Sequence, residues 1–439
     1  MTTAKKQNYT PAIIVMFALF FMIAFVTNLA GSMGVVVTNQ FGASKAMSQL
    51  GTLANFIAYA CMGIPAGLIL KRKGYKFTSL LAVVVGFIGV GVQFLSGYAE
   101  SFPVYVLGAF IAGFSMCMLN IVVNPMLNTL GGGGNKGNQL IQWGGSCNSI
   151  GATLAPILVG WLVGGSIQNA TVAKAAPVMI IAMAIFAIAF VVILLTNIPE
   201  PHMETAEEKA ARLAGTAVKD PHGPLSFRHF LLGAIAIFFY VGIEIGIPAQ
   251  VNFFLSDATA KGAGILVNGA AVGGAVAAVY WLLMMVGRFC STLISGKVSP
   301  RTQLAFVSTL AIILILAAIF TPKTVTISMP GYAAGTGFTM FENVPLSCLF
   351  LILCGLCTSV MWGVIFALAV EGLGKYTEAA SGIFMMLVVG GGIMPLIQEY
   401  LAKGVGYMNS YWLVAAMLGY LLFYALVGSK NVNKDIPVD

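Results

Sequence analysis

The chain contains 439 residues, of which 59% are hydrophobic and 8% are charged. Soluble proteins carry about 25% charged residues, so this composition excludes a water-soluble protein and indicates an integral membrane protein. The formal net charge of +8 is expected on loops at one face of the membrane, because such loops collect Lys and Arg, and not on a surface that binds nucleic acid.

Twelve long apolar segments follow one another along the chain, and we number them spans 1 to 12. A helix of about 20 apolar residues crosses the roughly 30 Å hydrocarbon layer. The first six spans are predicted at 11–38, 47–70, 78–98, 103–128, 138–164 and 176–197, and the second six at 227–255, 268–295, 303–321, 344–370, 378–403 and 410–428. This pattern predicts an all-α membrane fold of two pseudo-symmetric six-helix bundles, a plan that transporters use around a site in the middle of the membrane.

The largest hydrophilic segment separates the two sets of spans. It covers residues 198–226 and predicts a linker between an N-terminal bundle over 1–197 and a C-terminal bundle over 227–439. Residues 204–213 predict a short surface helix inside this linker. Residues 322–343, between spans 9 and 10, form the longest predicted loop on the opposite side, and we expect them to cover the outer mouth.

Lys and Arg are distributed unevenly between the two sides of the predicted membrane. Twelve spans put both termini on one side, and 17 (22 − 5) of the 22 Lys and Arg residues fall there. The other side carries Lys45, Lys174, Lys261, Lys323 and Lys403. The excess of positive charge predicts that both termini are cytoplasmic, as expected for a multi-pass protein of the cytoplasmic (inner) membrane.

Glu244 is the first candidate for function, because ionisable residues within membrane spans are costly and usually functional. It lies about 17 residues into span 7, or roughly 25 Å of helix rise. Gly242, Gly246 and Pro248 surround it, and we expect them to bend or break the helix and free carbonyl oxygens for a ligand. Glu244 is predicted to bind a substrate hydroxyl or a coupling ion; the structural alternative is a hydrogen bond to a neighbouring helix.

Three asparagines of span 4 are spaced four residues apart and therefore share one face of the helix. They are Asn120, Asn124 and Asn128. Amides both donate and accept hydrogen bonds, which suits the hydroxyls of a sugar. Asn120 and Asn124 are predicted to bind substrate, and their structural alternative is hydrogen bonding between helices.

Other spans add polar and aromatic candidates. Gln142 lies on the polar side of span 5 and is the strongest predicted sugar contact. Trp362 in span 10 is expected to stack on the apolar face of a pyranose, or else to fill space between helices. The remaining predicted substrate-binding residues are Asn28 in span 1, Asn148 in span 5, Asn252 in span 7 and Gln398 in span 11.

The turn after span 2 resembles the G-x-L-a-D-r-x-G-r-k motif of the major facilitator superfamily. Gly67, Arg72, Gly74 and Lys76 match that motif, while Lys71 stands where it has Asp. Segments of both halves are similar to the fucose–galactose–glucose:proton symporter branch of the superfamily; they are 124–126, 138–142, 148–151, 240–246, 287–289, 359–362, 373–377 and 380–382. The resemblance implies a sugar transporter of the superfamily fold, with gating or structural roles for Gly67, Arg72, Gly74 and Arg288.

The chain departs from that branch at the residues of proton coupling. In the proton-coupled fucose member, an Asp in span 1 and a Glu in span 4 carry this role. The matching positions here hold Gly31 and Asn120, neither of which can titrate. Glu244 is therefore the candidate for ion coupling, and the sequence leaves open whether a proton, sodium or no ion accompanies the substrate.

Competing functions predict different residues at membrane depth. A proton-driven exporter of hydrophobic drugs needs a cavity of Phe and Met with one acid, and the amides of spans 4 and 5 argue against it. A membrane enzyme needs a nucleophile and base or a metal site, and the sequence predicts no catalytic residue, metal or cofactor. The seven cysteines all fall within predicted spans, so no disulfide framework is expected. We expect a monomer that contacts lipid, a small sugar and, if transport is coupled to an ion, a proton or sodium, and no nucleic acid.

Overall fold

The computed structural model describes residues 9–41, 50–162, 172–201, 203–216, 220–265, 269–333 and 337–438. The helices of the first half are Thr10–Phe41 (span 1), Leu50–Tyr98 (spans 2 and 3), Phe102–Leu130 (span 4), Gly134–Leu162 (span 5) and Val172–Leu195 (span 6). Those of the second half are Arg228–Ser256 (span 7), Gly269–Ser295 (span 8), Pro300–Phe320 (span 9), Leu346–Ala369 (span 10), Thr377–Met386 with Gly390–Val405 (span 11) and Tyr407–Phe423 (span 12).

Ten helical segments of the described chain are long and apolar enough to cross a membrane. One of them, Leu50–Tyr98, contains two spans, and helix Gly134–Leu162, which carries the Gln and Asn residues of span 5, completes the twelve. The predicted all-α fold of twelve transmembrane helices is confirmed. Because consecutive spans run in opposite directions, the start of span 1, the linker and the end of span 12 lie on one side, which we call the linker side, and the opposite side is the hairpin side.

The turn between spans 2 and 3 is tighter than predicted. The sequence suggested a loop over 71–77, but helical structure runs through it and is interrupted at Gly74 alone (φ 83°, ψ 176°). This backbone conformation lies in the region that favours glycine. Gly74 thus turns the chain within one residue. The basic residues of the turn, Lys71, Arg72, Lys73 and Lys76, therefore lie next to the ends of spans 2 and 3.

The expected break in span 7 is absent, and span 11 contains the discontinuity instead. Residues 228–256 form one α-helix in spite of Pro248. Span 11 changes from α-helix to a 3-10 turn over Leu387–Val389 before it continues at Gly390. Gly390 lies directly against the carbonyl of Phe238 in span 7. The break in span 11 therefore occurs where the backbones of spans 7 and 11 approach each other closely.

The loop between spans 9 and 10 is a β-hairpin of strands β1 (Thr326–Ala333) and β2 (Gly337–Pro345), which pair in antiparallel register. Its side chains pack on span 8, where Gly331 approaches Ala275 and Met329 is buried. The linker contains the helix Ala206–Leu213, which Thr205 and Glu208 begin with a capping box.

The two halves are in contact through small residues at the linker side. Gly63 and Gly67 of span 2 lie against Gly382 of span 11, and a Cβ atom built on Gly63 would stand 2.6 Å from the carbonyl oxygen of Gly382. Small residues allow helix backbones to approach closely in membranes. The polar residues of spans 4, 5, 7, 8 and 10 lie deeper in the same interface.

Candidate functional site at the interface of the two halves

A continuous group of polar and aromatic side chains joins the two halves in the middle of the membrane, and we call it the central cluster. It extends from span 2 through spans 4 and 10 to spans 7, 8 and 5. Its members are Tyr59, Asn120, Asn124, Gln142, Asn148, Ser149, Tyr240, Glu244, Arg288 and Trp362.

The asparagines of span 4 form the first part of the central cluster. Asn120 donates to the hydroxyl of Tyr59 at 2.9 Å. Asn124 is fully buried and donates to the backbone oxygen of Asn120 at 2.9 Å. The spacing of four residues therefore places these two amides together, as the sequence predicted. Buried amides need such partners, because an unpaired polar group in an apolar medium is costly.

Trp362 connects span 4 to the second half. Its indole N–H donates to Asn124 Oδ1 at 3.0 Å, across the interface. The ring meets the edge of Tyr240 with 6.3 Å between ring centroids, and Phe384 at the same distance. Trp362 is only half-buried. An indole in this position offers an apolar face to a ligand while its polar edge is held.

Glu244 and Arg288 form an ion pair between spans 7 and 8, with 3.4 Å between Arg288 Nη2 and Glu244 Oε1. The side chains are 13% and 12% exposed respectively. Arg288 Nη1 also donates to Ser149 Oγ at 2.9 Å and to Asn148 Oδ1 at 3.2 Å, both in span 5. One guanidinium therefore links the acidic residue of the second half to a helix of the first half.

Gln142 reaches across the interface like Trp362. It is buried and donates to the carbonyl of Val360 in span 10 at 2.8 Å. One turn nearer the linker side, Gln139 donates to the carbonyl of Thr292 at 2.9 Å. In its linker-side part, span 5 thus turns its polar face toward the second half.

Three of the predicted residues lie away from these contacts. Asn28 donates to the carbonyl of Ala24 in its own helix. Asn252 accepts from Ser256 and lies against Gly273 of span 8. Gln398 is buried, donates to Ser410 of span 12 at 3.4 Å and packs on Gly246. The last two side chains belong to the hairpin-side portion of the second half.

Two tyrosines of the central cluster, Tyr59 and Tyr240, were not among the predicted site residues. Tyr59 holds Asn120, and Tyr240 lies one helical turn before Glu244 in span 7. The spacing of four residues between Tyr240 and Glu244 was the available signal. A tyrosine in an apolar span is ordinary, however, and its partner in another helix is not visible in the chain order.

Comparison with known proteins places the fold in a family. The family model of the Major Facilitator Superfamily matches residues 15–334. The chain belongs to the Major Facilitator Superfamily. A crystal structure of FucP, a transporter of this superfamily in the outward conformation, has a TM-score of 0.75 at 18% identity and covers 97% of this chain and 100% of its own.

Two curated relatives extend over nearly the whole length of this superfamily member. The glucose/galactose transporter of Brucella abortus biovar 1 (strain 9-941) is 29% identical and covers 98% of this chain and 97% of the relative. The L-fucose-proton symporter of Escherichia coli (strain K12) is 21% identical and covers 95% and 94% of the two chains.

In this superfamily member the turn between spans 2 and 3 is held by the start of the linker. Glu200 accepts hydrogen bonds from the backbone N–H groups of Tyr75 and Lys76. Burial raises the pKa of Glu200, and the two donors act in the opposite direction. Glu204 N–H donates to the carbonyl of Lys71 at 3.0 Å.

Three of the four predicted gating or structural residues lie at or near this turn. Gly74 forms it, Arg72 lies on its exposed surface, and Gly67 packs against the helix of span 11. Arg288 lies away from this turn, in span 8, and its side chain extends to Glu244 and span 5. Its role in gating stays a prediction, and its contacts also make it part of the central cluster.

Proposed function

We propose that the protein moves a neutral hexose, or a sugar derived from one, across the membrane by alternating access. The observation that carries the proposal is the central cluster, in which amides, tyrosines and an indole from both halves meet around one ion pair. The opposite charges of Glu244 and Arg288 compensate each other, so the cluster favours an uncharged ligand rich in hydroxyls. A hydrophobic drug offers no partners for these groups.

The relatives support the same class of substrate. The names of two curated relatives specify glucose, galactose and L-fucose. These are neutral sugars with several hydroxyls, and the amide and indole groups of the central cluster fit that chemistry.

We assign the sugar contacts to the central cluster first. Asn120, Asn124 and Gln142 supply donors and acceptors, and Trp362 supplies the stacking face. Asn148 connects the cluster to span 1, where it donates to the carbonyl of Phe20 at 3.0 Å. Asn28, Asn252 and Gln398 are proposed to line the path to the site in other states of the transport cycle.

The membrane and the orientation are also part of the proposal. Seventeen of the 22 Lys and Arg residues belong to the side with both termini, which supports a linker side that faces the cytoplasm. We propose a cytoplasmic membrane location, a monomer as the transporting unit, and symport with an ion that is a proton or sodium.

Counterflow in proteoliposomes tests the proposed function. Vesicles preloaded with unlabelled sugar and diluted into labelled D-glucose, D-galactose, L-fucose or N-acetylglucosamine need no ion gradient for uptake of label. Transient accumulation of at least one sugar is expected with the wild-type protein, and little with Asn124→Leu. No counterflow of any sugar, together with efflux of ethidium from the same vesicles, would overturn the proposal and favour drug export.

A further inference from the structure

Carboxylates are scarce in the membrane-spanning part of this chain. Residues 1–197 contain one acidic residue, Glu100, which follows span 3 on the hairpin side. In the second half, Glu378 begins span 11, and Glu399 pairs with Lys403 near the other end of that span. Glu244 is the 17th residue of the 29-residue helix of span 7 and is the carboxylate nearest the middle of a span. A proton carried through the centre of the protein has no other carboxylate to use there.

Arg288 connects Glu244 to the interface between the halves. The guanidinium lies 3.4 Å from the carboxylate of Glu244 and 2.9 Å from the hydroxyl of Ser149. The shorter contacts go to span 5 of the first half, and the longer one to span 7 of its own half. A change of charge on Glu244 therefore alters the balance that holds Arg288 between the two halves, because arginine itself stays charged.

We propose that Glu244 is the proton-coupling residue of this transporter and that Arg288 is the positioning residue through which its protonation changes the contact between the halves. The inference rests on the proposed sugar transport and deepens it. A proton from water on the hairpin side forms an O–H bond with a carboxylate oxygen of Glu244, which becomes a neutral acid. On the linker side this bond breaks, the proton returns to water, and the carboxylate pairs with Arg288 again. One proton then crosses with one sugar.

The surroundings of Glu244 favour a proton over sodium. A sodium ion needs several oxygen ligands, and the cationic Arg288 next to the carboxylate repels it. Tyrosine hydroxyls stay protonated near neutral pH, so they do not compete with Glu244 for this role. In the described chain, Glu244 interacts with Arg288 and Tyr280 of span 8 and with Tyr240 of span 7. Arg288 in turn contacts Ser149 and Asn148 of span 5.

The test separates coupling from sugar transport. Purified protein in proteoliposomes is assayed for D-galactose and D-glucose in two ways: counterflow without a gradient, and uphill uptake under an imposed pH gradient of one unit, alkaline inside, with and without sodium. One proton per sugar drives at most about tenfold accumulation under that gradient. The variants are Glu244→Gln, Glu244→Asp, Arg288→Gln and Arg288→Lys. Glu399→Gln, which makes the same change at the end of a span, is the matched control.

The wild type, Glu399→Gln and Glu244→Asp are expected to accumulate sugar several-fold without sodium. Glu244→Gln is expected to show slower but measurable counterflow, because Glu244 belongs to the central cluster, while its accumulation falls to the equilibrium ratio of about one. Arg288→Lys is expected to restore part of the accumulation that Arg288→Gln loses, since it keeps the charge; a purely structural role would lower counterflow and accumulation together.

Three results would overturn the inference while leaving sugar transport intact. The first is full accumulation by Glu244→Gln, the second is a wild type that shows counterflow but no accumulation under the pH gradient, and the third is accumulation that needs sodium. Absence of counterflow by the wild type for every sugar would instead remove the proposed function itself. If Glu244→Gln fails to fold by size-exclusion chromatography, Glu244→Asp and the two Arg288 variants still decide the question.

Discussion

The hydroxyl of Tyr75 donates a hydrogen bond to Glu378 Oε1, with 3.1 Å between the two oxygens. Tyr75 follows the Gly74 turn of the first half, and Glu378 is buried at the start of span 11 in the second half. The bond therefore joins the two halves at the linker side. Glu200 holds the backbone of Tyr75 and so orients it toward this partner.

Tyr75→Phe is expected to favour conformations in which the linker side is open. The change removes a partner from a buried carboxylate, which costs about 1–3 kcal/mol and shifts a two-state equilibrium by roughly five- to a hundredfold. Electron–electron distance measurements between nitroxides at Lys73→Cys and Lys297→Cys, on a background without native cysteines, report the opening. Tyr98→Phe at the exposed end of span 3 is the control. A distance distribution like that of the wild type would show that the bond does not hold the halves together.

Gly63→Ala is expected to impair transport without unfolding the protein. A Cβ at this position stands 2.6 Å from the carbonyl oxygen of Gly382 in the other half, whereas a Cβ at Gly419 in span 12 meets nothing within 4 Å. Gly63→Ala should reduce the initial uptake rate by about tenfold, because the halves can no longer close at the linker side. Gly419→Ala should leave uptake unchanged and raise the melting temperature slightly, by helix propensity. Equal uptake by both variants would contradict this role of the close approach.

Trp362→Phe is expected to weaken sugar binding while keeping most of the ring. The substitution removes the N–H that donates to Asn124 at 3.0 Å and leaves a buried amide oxygen without that donor. The expected loss of about 1–3 kcal/mol corresponds to a rise in KM of about five- to a hundredfold in the counterflow assay. Trp412→Phe, at a half-exposed ring that meets Phe320 edge to face, is expected to keep the wild-type KM. An unchanged KM for Trp362→Phe would remove Trp362 from the sugar site.

Asp220→Asn is expected to destabilise the protein in a pH-dependent way. The backbone N–H of His222, the hydroxyl of Tyr376 and the ammonium of Lys375 lower the pKa of Asp220. Because its folded pKa is below the unfolded value of about 3.9, this stabilisation is present above about pH 4 and is lost as the pH falls through the folded pKa.

Melting temperatures of the wild type and Asp220→Asn at pH 7, 5 and 3 measure this effect. The variant should melt lower at pH 7 and 5, and the difference should narrow at pH 3. The Tyr376→Phe variant, which removes one of the three partners, should show a smaller difference with the same trend. A difference that is independent of pH would mean that the carboxylate charge of Asp220 does not anchor the linker.

Periodicity predicted one part of the candidate site. Asn120 and Asn124 meet because residues four apart share a helix face, and the polar side of span 5 does bring Gln142 to the interface. The Arg288–Glu244 and Tyr75–Glu378 contacts join residues 44 and 303 positions apart. Such pairs depend on which helices are neighbours and how each is rotated, and the spacing of residues within one span contains neither.

The position of the helix break also depends on neighbouring helices, which the sequence of a single span does not specify. Proline next to glycines predicted a bent or broken span 7, yet that helix is not broken at Pro248. A proline removes one hydrogen bond of the helix, and the remaining bonds and the packing of span 7 keep the helix continuous. Span 11 is interrupted instead, where Gly390 lies against the backbone of span 7.

The sequence by itself determined the twelve spans, the division into two sets of six and the asymmetry of charge, because the bilayer acts on each segment separately. Each span must bury its own backbone hydrogen bonds in hydrocarbon and keep its charges at the membrane surface. Only the tertiary structure decided which polar side chains meet. The ion pair of Glu244 with Arg288, the indole of Trp362 on Asn124, and the linker-side contact of Tyr75 with Glu378 arise from packing between helices, where sub-nanometre distances between remote residues set the chemistry.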